Sequence, residues 1–172
     1  ACELAMVFAN SLEASGVVDQ MEGVISTQCA SFVEHAGRWH GMDIIVIEAG
    51  DTWRQVARAV TDLINMHHPS WVISAGFASS LSKRVRKGMI VMPNVIRDVK
   101  GRELQVGFQL GEAKPQAGLL TGDLVSTPEV LTTPAKRKEL ASQFRTEVAD
   151  MESAVVAEIC RQARQRCMAI RI

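Results

Sequence analysis

No stretch of this chain is apolar for long enough to cross a membrane: the longest clean aliphatic run, Ile44 to Ile47, falls far short of the roughly 20 residues a spanning helix needs. No basic-then-apolar leader is read ahead of it, so the expectation is a soluble, cytoplasmic protein with no membrane partner. Cysteine is sparse. Cys2, Cys29, Cys160 and Cys167 form no C-x-x-C pair, which excludes a disulfide scaffold and predicts buried free thiols. An excess of one charge is missing as well, since 19 Lys and Arg balance 19 Asp and Glu. With no long block of either sign there is no electrostatic footprint for a nucleic acid polymer or an anionic membrane. A neutral small molecule is the default partner. The 172 residues, 47% of them apolar, suit one domain with a proper core, and no internal repeat, low-complexity tract or linker divides residues 1–172.

Several signatures are also absent: G-x-x-x-x-G-K-[ST], G-x-G-x-x-G after the first strand, H-E-x-x-H and G-x-S-x-G. Triphosphatase, dinucleotide-dependent dehydrogenase, zincin and lipase readings therefore fall away. What is present is a succession of apolar runs of strand length at Leu4 to Ala9, Ile44 to Ala49, Trp71 to Ala75, Met89 to Ile96, Gly118 to Val125 and Met168 to Ile172. Continuous rather than alternating runs suit strands covered on both faces.

Helical patterns lie between them. From about Asp51 to His67, Val56, Val60, Leu63 and Ile64 share one face and Pro69 follows the end. Thr132 and Thr133 are candidate caps before Pro134, which opens a helix to about Phe144. A third helix spans roughly Glu152 to Arg164, with Val155, Val156, Ile159 and Cys160 as its apolar stripe. The stretch Cys29 to Ala49 reads as an antiparallel hairpin around Gly37 to Gly41. Alternating strands and helices with one hairpin predict a three-layer α/β/α sandwich with a mixed central sheet.

Three segments attract attention because each sits where a strand hands over to the next element, the edge that holds the ligand crevice in open α/β sheets. Glu13 follows the first strand, although a first-turn Glu is also what a helix dipole favours. Ser74 to Ser80 follows another buried strand with small residues, which permit close backbone approach to a ligand or a tight turn. Glu152 follows Val148 to Met151, where the dipole explanation applies again. All three converge on one crevice if their strands are neighbours. The His67–His68 pair ends a helix, where His complements the terminal carbonyls, and is not read as a metal site.

The segment Val148-Ala149-Asp150-Met151-Glu152-Ser153-Ala154-Val155-Val156-Ala157 resembles the Met-Glu segment of the purine nucleoside phosphorylase and nucleosidase superfamily, in particular its methylthioadenosine/S-adenosylhomocysteine nucleosidases. Ala9 to Glu13, Ala49-Gly50, Ser74 to Leu81 and Lys87 to Val91 are similar to further motifs of that family, so the resemblance runs over almost the whole chain. It implies a nucleoside phosphorylase-like fold with no metal and no organic cofactor, acting on a purine nucleoside as a homodimer. Glu152 would accept hydrogen bonds from ribose hydroxyls with Met151 packed under the sugar, and Glu13 would activate water. The base and substrate pocket would be formed by Gly50, Phe77, Ala78, Ser79 and Val125.

Glycosidic cleavage through an oxocarbenium-like sugar needs those roles and an acid for the leaving base. A phosphorylase would instead need cationic or backbone donors for phosphate. The Arg that some phosphorylases carry has no counterpart at Ser70 to Ile73, leaving Arg54 or Arg97 as the candidates, so hydrolysis is favoured. A non-catalytic nucleoside-binding member of the fold is the other alternative. The chain departs from the family at Ser79-Ser80, where Gly-Gly is usual, and at Val125, where a base-stacking aromatic is expected. It also starts at Ala1 rather than Met and stops at Ile172 inside a strand-like run. The reading therefore expects a missing C-terminal piece and, with it, the proton-donating Asp of the family just beyond Ile172.

Overall fold

A computed structural model describes residues 2–106 and 118–172. Its main sheet begins with four parallel strands that match the apolar runs: β1 (Leu4–Phe8), β4 (Met42–Glu48), β5 (Trp71–Gly76) and β13 (Cys167–Arg171). β1 lies between β4 and β5, and β5 lies between β1 and β13. Each is buried from both sides. Met6, Phe8, Ile44, Val46 and Ile73 pack with Ala14 of α1 (Ser11–Val18) on one face. Val7, Ile45, Ile47 and Val72 pack with α2 (Trp53–His67) and α4 (Ser153–Gln162) on the other. This is the predicted α/β/α arrangement.

The hairpin is formed by β3 (Val33–Trp39) and β4, antiparallel, turning at His40 and Gly41 with positive φ at both. It carries an additional strand outside it, β2 (Glu22–Gln28). No apolar run announces β2, because as an edge strand it leaves almost every side chain in water.

Two apolar runs divide. Met89 to Ile96 splits into β7 (Ile90–Val91) and β8 (Val95–Asp98), and Gly118 to Val125 splits into β10 (Leu119–Leu120) and β11 (Asp123–Ser126). In each, the first piece joins the main sheet, ordered β10-β7-β13-β5-β1-β4-β3-β2. The second joins another sheet, ordered β6-β12-β11-β8-β9, with β6 (Ser79–Ser80), β9 (Glu103–Gln105) and β12 (Val148–Asp150). The breaks fall opposite one another: Pro93 has no N–H to give a ladder, and the Asn94 N–H reaches the Gly122 carbonyl at 3.2 Å. A side chain at Gly122 would displace that of Glu147, since an added Cβ would stand 2.8 Å from the Glu147 carboxylate, which accepts the Asp123 N–H at 2.9 Å. The layer is thus mixed as expected but made of two hydrogen-bonded sheets.

α2 begins with a reciprocal cap between Thr52 and Gln55 and buries Val56, Ala59, Val60, Leu63 and Ile64. Full burial is worth roughly 1.5–3 kcal/mol for each of the larger side chains. α3 (Pro134–Phe144) starts as predicted on the Thr133 cap, and none of its residues is buried. Cys2, Cys160 and Cys167 are buried free thiols, whereas Cys29 is only half-buried, which corrects the expectation for that residue. No helix among the described residues is long and apolar enough to cross a membrane.

Candidate active site

The carboxyl end of β12 and the segments that follow β1 and β5 meet at one cleft of about 200 Å³, lined by Glu13, Phe77, Ala78 and Ser79 and by Ala149 to Glu152. Thr127, Glu129, Val130 and Leu131 close it from the segment after β11.

Glu13 is placed by two devices. Asn10 caps α1 by accepting the Glu13 N–H through its side chain at 3.3 Å. The Glu13 carboxylate then folds back over the strand ends, where Oε2 accepts the Ala9 N–H at 3.2 Å and Oε1 accepts the Phe77 N–H at 3.0 Å. A first-turn Glu serving only the helix dipole would not bridge β1 to the loop after β5.

Gly76 makes room for it. Its φ is +147°, and an added Cβ would stand 2.6 Å from Glu13 Oε2 and 2.8 Å from Arg171 Nη1. Gly76→Ala is expected to push both side chains out of place and to cost roughly 1–3 kcal/mol from overpacking and backbone strain. A thermal melt checks the stability, and an unshifted Glu13 in the variant's crystal structure would refute the packing argument.

Glu152 is the N-cap residue of α4 but makes no capping hydrogen bond with its side chain, which is 15% exposed. Burial pushes its carboxyl up to about 7. The Arg171 guanidinium, 3.7 Å away, pulls in the opposite direction, and the neighbouring charges of Asp150 and Glu13 add to the upward push.

Arg171 is the centre of this end of the fold and escaped the sequence reading. The residue is 1% exposed. It pairs with Asp150 at 2.6 Å and donates to the hydroxyls of Ser74 at 2.6 Å and Ser153 at 2.9 Å. Asp150 in turn accepts from the Ser126 hydroxyl and the Ser153 N–H. Its signal in the sequence is a lone cation closing the strand Cys167-Met168-Ala169-Ile170, where burial demands a partner.

The predicted residues divide. Glu13, Phe77, Ala78, Ser79, Met151 and Glu152 come together in the cleft. Gly50 does not line it: with φ of +96° it lies beside the Gln55 side chain, in a separate hollow shared with Gln28, Glu48 and Arg58. Val125 has no exposed surface and belongs to the interior of β11, so the residues after that strand, from Thr127 onward, stand at the cleft in its place. The two arginines considered for phosphate lie elsewhere. Arg97 is held by Asp123 at 2.5 Å and Glu103 at 2.8 Å, and Arg54 lines a groove between α2 and α4. The His67 ring meets Glu34 at 2.7 Å, and among the described residues no three His, Cys, Asp or Glu side chains are grouped to hold a metal.

The architecture and sequence both have relatives. A nucleosidase of 5′-methylthioadenosine and S-adenosylhomocysteine from Shewanella halifaxensis is 26% identical over 93% of this chain and 80% of its own length. The counterpart from Staphylococcus saprophyticus is 22% identical over 92% and 80%. Among solved structures, the nucleosidase of Colwellia psychrerythraea in complex with adenine superposes with a TM-score of 0.86 at 19% identity, covering 99% of this chain and 81% of its own. A futalosine hydrolase mutant from Helicobacter pylori gives 0.87 at 18% identity, covering 99% and 84%. The profile of the phosphorylase superfamily matches residues 4–172, and the chain belongs to that family.

Proposed function

We propose that this protein hydrolyses the N-ribosidic bond of a purine nucleoside of the 5′-methylthioadenosine or S-adenosylhomocysteine type. The observation that carries the reading is the meeting of Glu13 and Glu152, from opposite ends of the chain, at one cleft on the carboxyl edge of the sheet. Nucleosidases acting on these two compounds are its sequence relatives.

In this reading Glu152 accepts the ribose hydroxyls and Met151 packs beneath the sugar. Glu13, fixed by two backbone N–H groups, orients and deprotonates the attacking water as positive charge grows on the ribose. Protonation of the departing base needs an acid besides these three. Hydrolysis is preferred to phosphorolysis because Arg54 and Arg97 lie off the cleft and Arg171 is already engaged by Asp150 and two serines. The reading includes a homodimer in the cytoplasm. A second copy over the cleft mouth would cover Phe77 and Val130, which are 55% and 62% exposed, and sedimentation of the purified protein tests this.

The deciding assay is base release from methylthioadenosine, adenosine and inosine, with and without phosphate, using the protein at its full natural length. Release without phosphate is the expected result. Strict phosphate dependence would make the protein a phosphorylase, and binding without release would make it a non-catalytic member of the fold.

The raised carboxyl of Glu152 predicts a pH dependence. Only the carboxylate can accept from both ribose hydroxyls, so affinity for a non-hydrolysable nucleoside analogue should rise through about pH 7 and level off above it. Below that point each pH unit should weaken binding by up to roughly tenfold. Stability runs the other way. The folded state holds a proton on Glu152 that the unfolded chain gives up near the ordinary value of 4.5, so the contribution of this group to stability falls as pH rises from about 4.5 to 7. Calorimetric titrations from acid to alkaline pH test the binding arm, and Glu152→Gln should bind weakly with a flat profile.

A further inference from the structure

We infer that Trp53 is a positioning residue for the ribose-anchoring bend at Met151 and Glu152, an assignment that rests on the nucleosidase reading above. Trp53 is the first residue of α2, directly after its Thr52 cap, and its half-buried indole N–H donates to the Met151 carbonyl. The two residues are 98 positions apart in the chain, so this bond ties the start of one helix to the turn that introduces another.

The turn is spanned by the Ser153 N–H, which donates to the Asp150 carboxylate at 3.1 Å, and this leaves the Met151 carbonyl to be held from outside. Its flanks are held: the Asp150 carbonyl accepts the Thr127 N–H, and the Glu152 carbonyl accepts the N–H groups of Val155 and Val156. Between them, the indole is the donor that reaches Met151 among the described residues. Glu152 has φ of −124° and ψ of −32°, outside the helix, with no capping bond from its own side chain. The Met151 carbonyl accepts none of the bonds inside the bend and owes its direction to this outside contact. Rotation of the Met151 peptide would swing the Glu152 carboxylate, which stands 3.7 Å from the Arg171 guanidinium.

The base of Trp53 is firm. The α2 face that follows it, Val56, Ala59, Val60 and Leu63, is fully buried and shares a core with Ala154, Val156, Ala157 and Cys160 of α4. Beside this core, Trp53 lines one groove with Ala154, Val155 and Ile159. The indole thus projects from a packed helix onto the Met151 carbonyl. A wrongly aimed carboxylate weakens ribose contacts in the bound substrate and in the transition state alike, so the penalty belongs in KM more than in kcat.

The test is Trp53→Phe, which keeps an aromatic ring and removes the N–H donor. With methylthioadenosine as substrate and the full-length protein, KM should rise about tenfold with kcat within about twofold, the pattern of lost uniform binding. Amide hydrogen exchange should quicken at residues 151–153, and the melting temperature should stay close to that of the parent. Trp53→His, whose ring can again present an N–H, should recover part of the affinity. A variant with parental KM and parental exchange at 151–153 overturns the inference while leaving the nucleosidase reading intact, as does a variant that loses only thermal stability. A parent protein that neither binds nor cleaves the nucleoside sinks the functional reading and the inference with it.

Discussion

Glu13→Gln is expected to reduce base release by roughly 10²–10⁴-fold, the usual contribution of a positioned general base, while the affinity for a nucleoside analogue stays nearly unchanged. The asymmetry follows from the geometry. Both carboxylate oxygens already accept a backbone N–H, from Ala9 and from Phe77, so the group is aimed before substrate arrives. Gln keeps the shape and one acceptor but turns an NH₂ toward the second N–H and lacks the basicity to take a proton from water. In the proposed reading the ribose contacts belong to Glu152 and are untouched. Steady-state release and calorimetric binding on the same preparation separate the two effects. Parental turnover in Glu13→Gln would remove Glu13 from the chemistry, and loss of binding together with turnover would recast it as a structural brace between β1 and the loop after β5.

Arg171→Met is expected to be the most destabilising substitution at this end of the fold, by about 3–5 kcal/mol, because removing one partner strands the other as an uncompensated buried charge. The Asp150 side chain is 0% exposed and that of Arg171 1%, so water cannot take over. For a chain of this length that loss corresponds to a fall in melting temperature of roughly 6–20 °C. The deficit should shrink toward acidic pH. Glu152 already has its carboxyl up at about 7, and Arg171 is the neighbour that pulls it downward. Without the guanidinium, protonation of Glu152 relieves part of the penalty.

The double variant Arg171→Met with Asp150→Asn should recover part of the stability without recovering nucleoside affinity, since a neutral pair costs less to bury than a lone carboxylate. Denaturant unfolding at neutral and acidic pH provides the comparison. A single variant within about 1 kcal/mol of the parent would mean that Asp150 finds its partners among Ser126 and the Ser153 N–H alone.

Much of this was legible in the residues because the signals are local. Continuous apolar runs marked β1, β4, β5 and β13, Thr133 with Pro134 marked the start of α3, and the spacing of Val56, Val60, Leu63 and Ile64 marked the buried face of α2. Glu13 and Glu152 stood out because each follows a strand at the edge where such sheets bind ligands. Edge strands were harder to see, as β2 shows: a strand with water on most of its surface carries no burial pattern to read.

What sequence alone determined, then, was the alternation of elements and the short list of carboxylates, since hydrophobic periodicity and capping act over a few residues. Only the tertiary structure decided that Met89 to Ile96 and Gly118 to Val125 each serve two sheets, and that Val125 is interior while Thr127 to Leu131 face the cleft. It alone set Arg171 among Asp150, Glu152, Ser74 and Ser153, and Trp53 against Met151. Each of these depends on contacts between residues distant in the chain. A strand's neighbours, a buried charge's partner and a bend's outside support are properties of the packed whole, which no local pattern encodes.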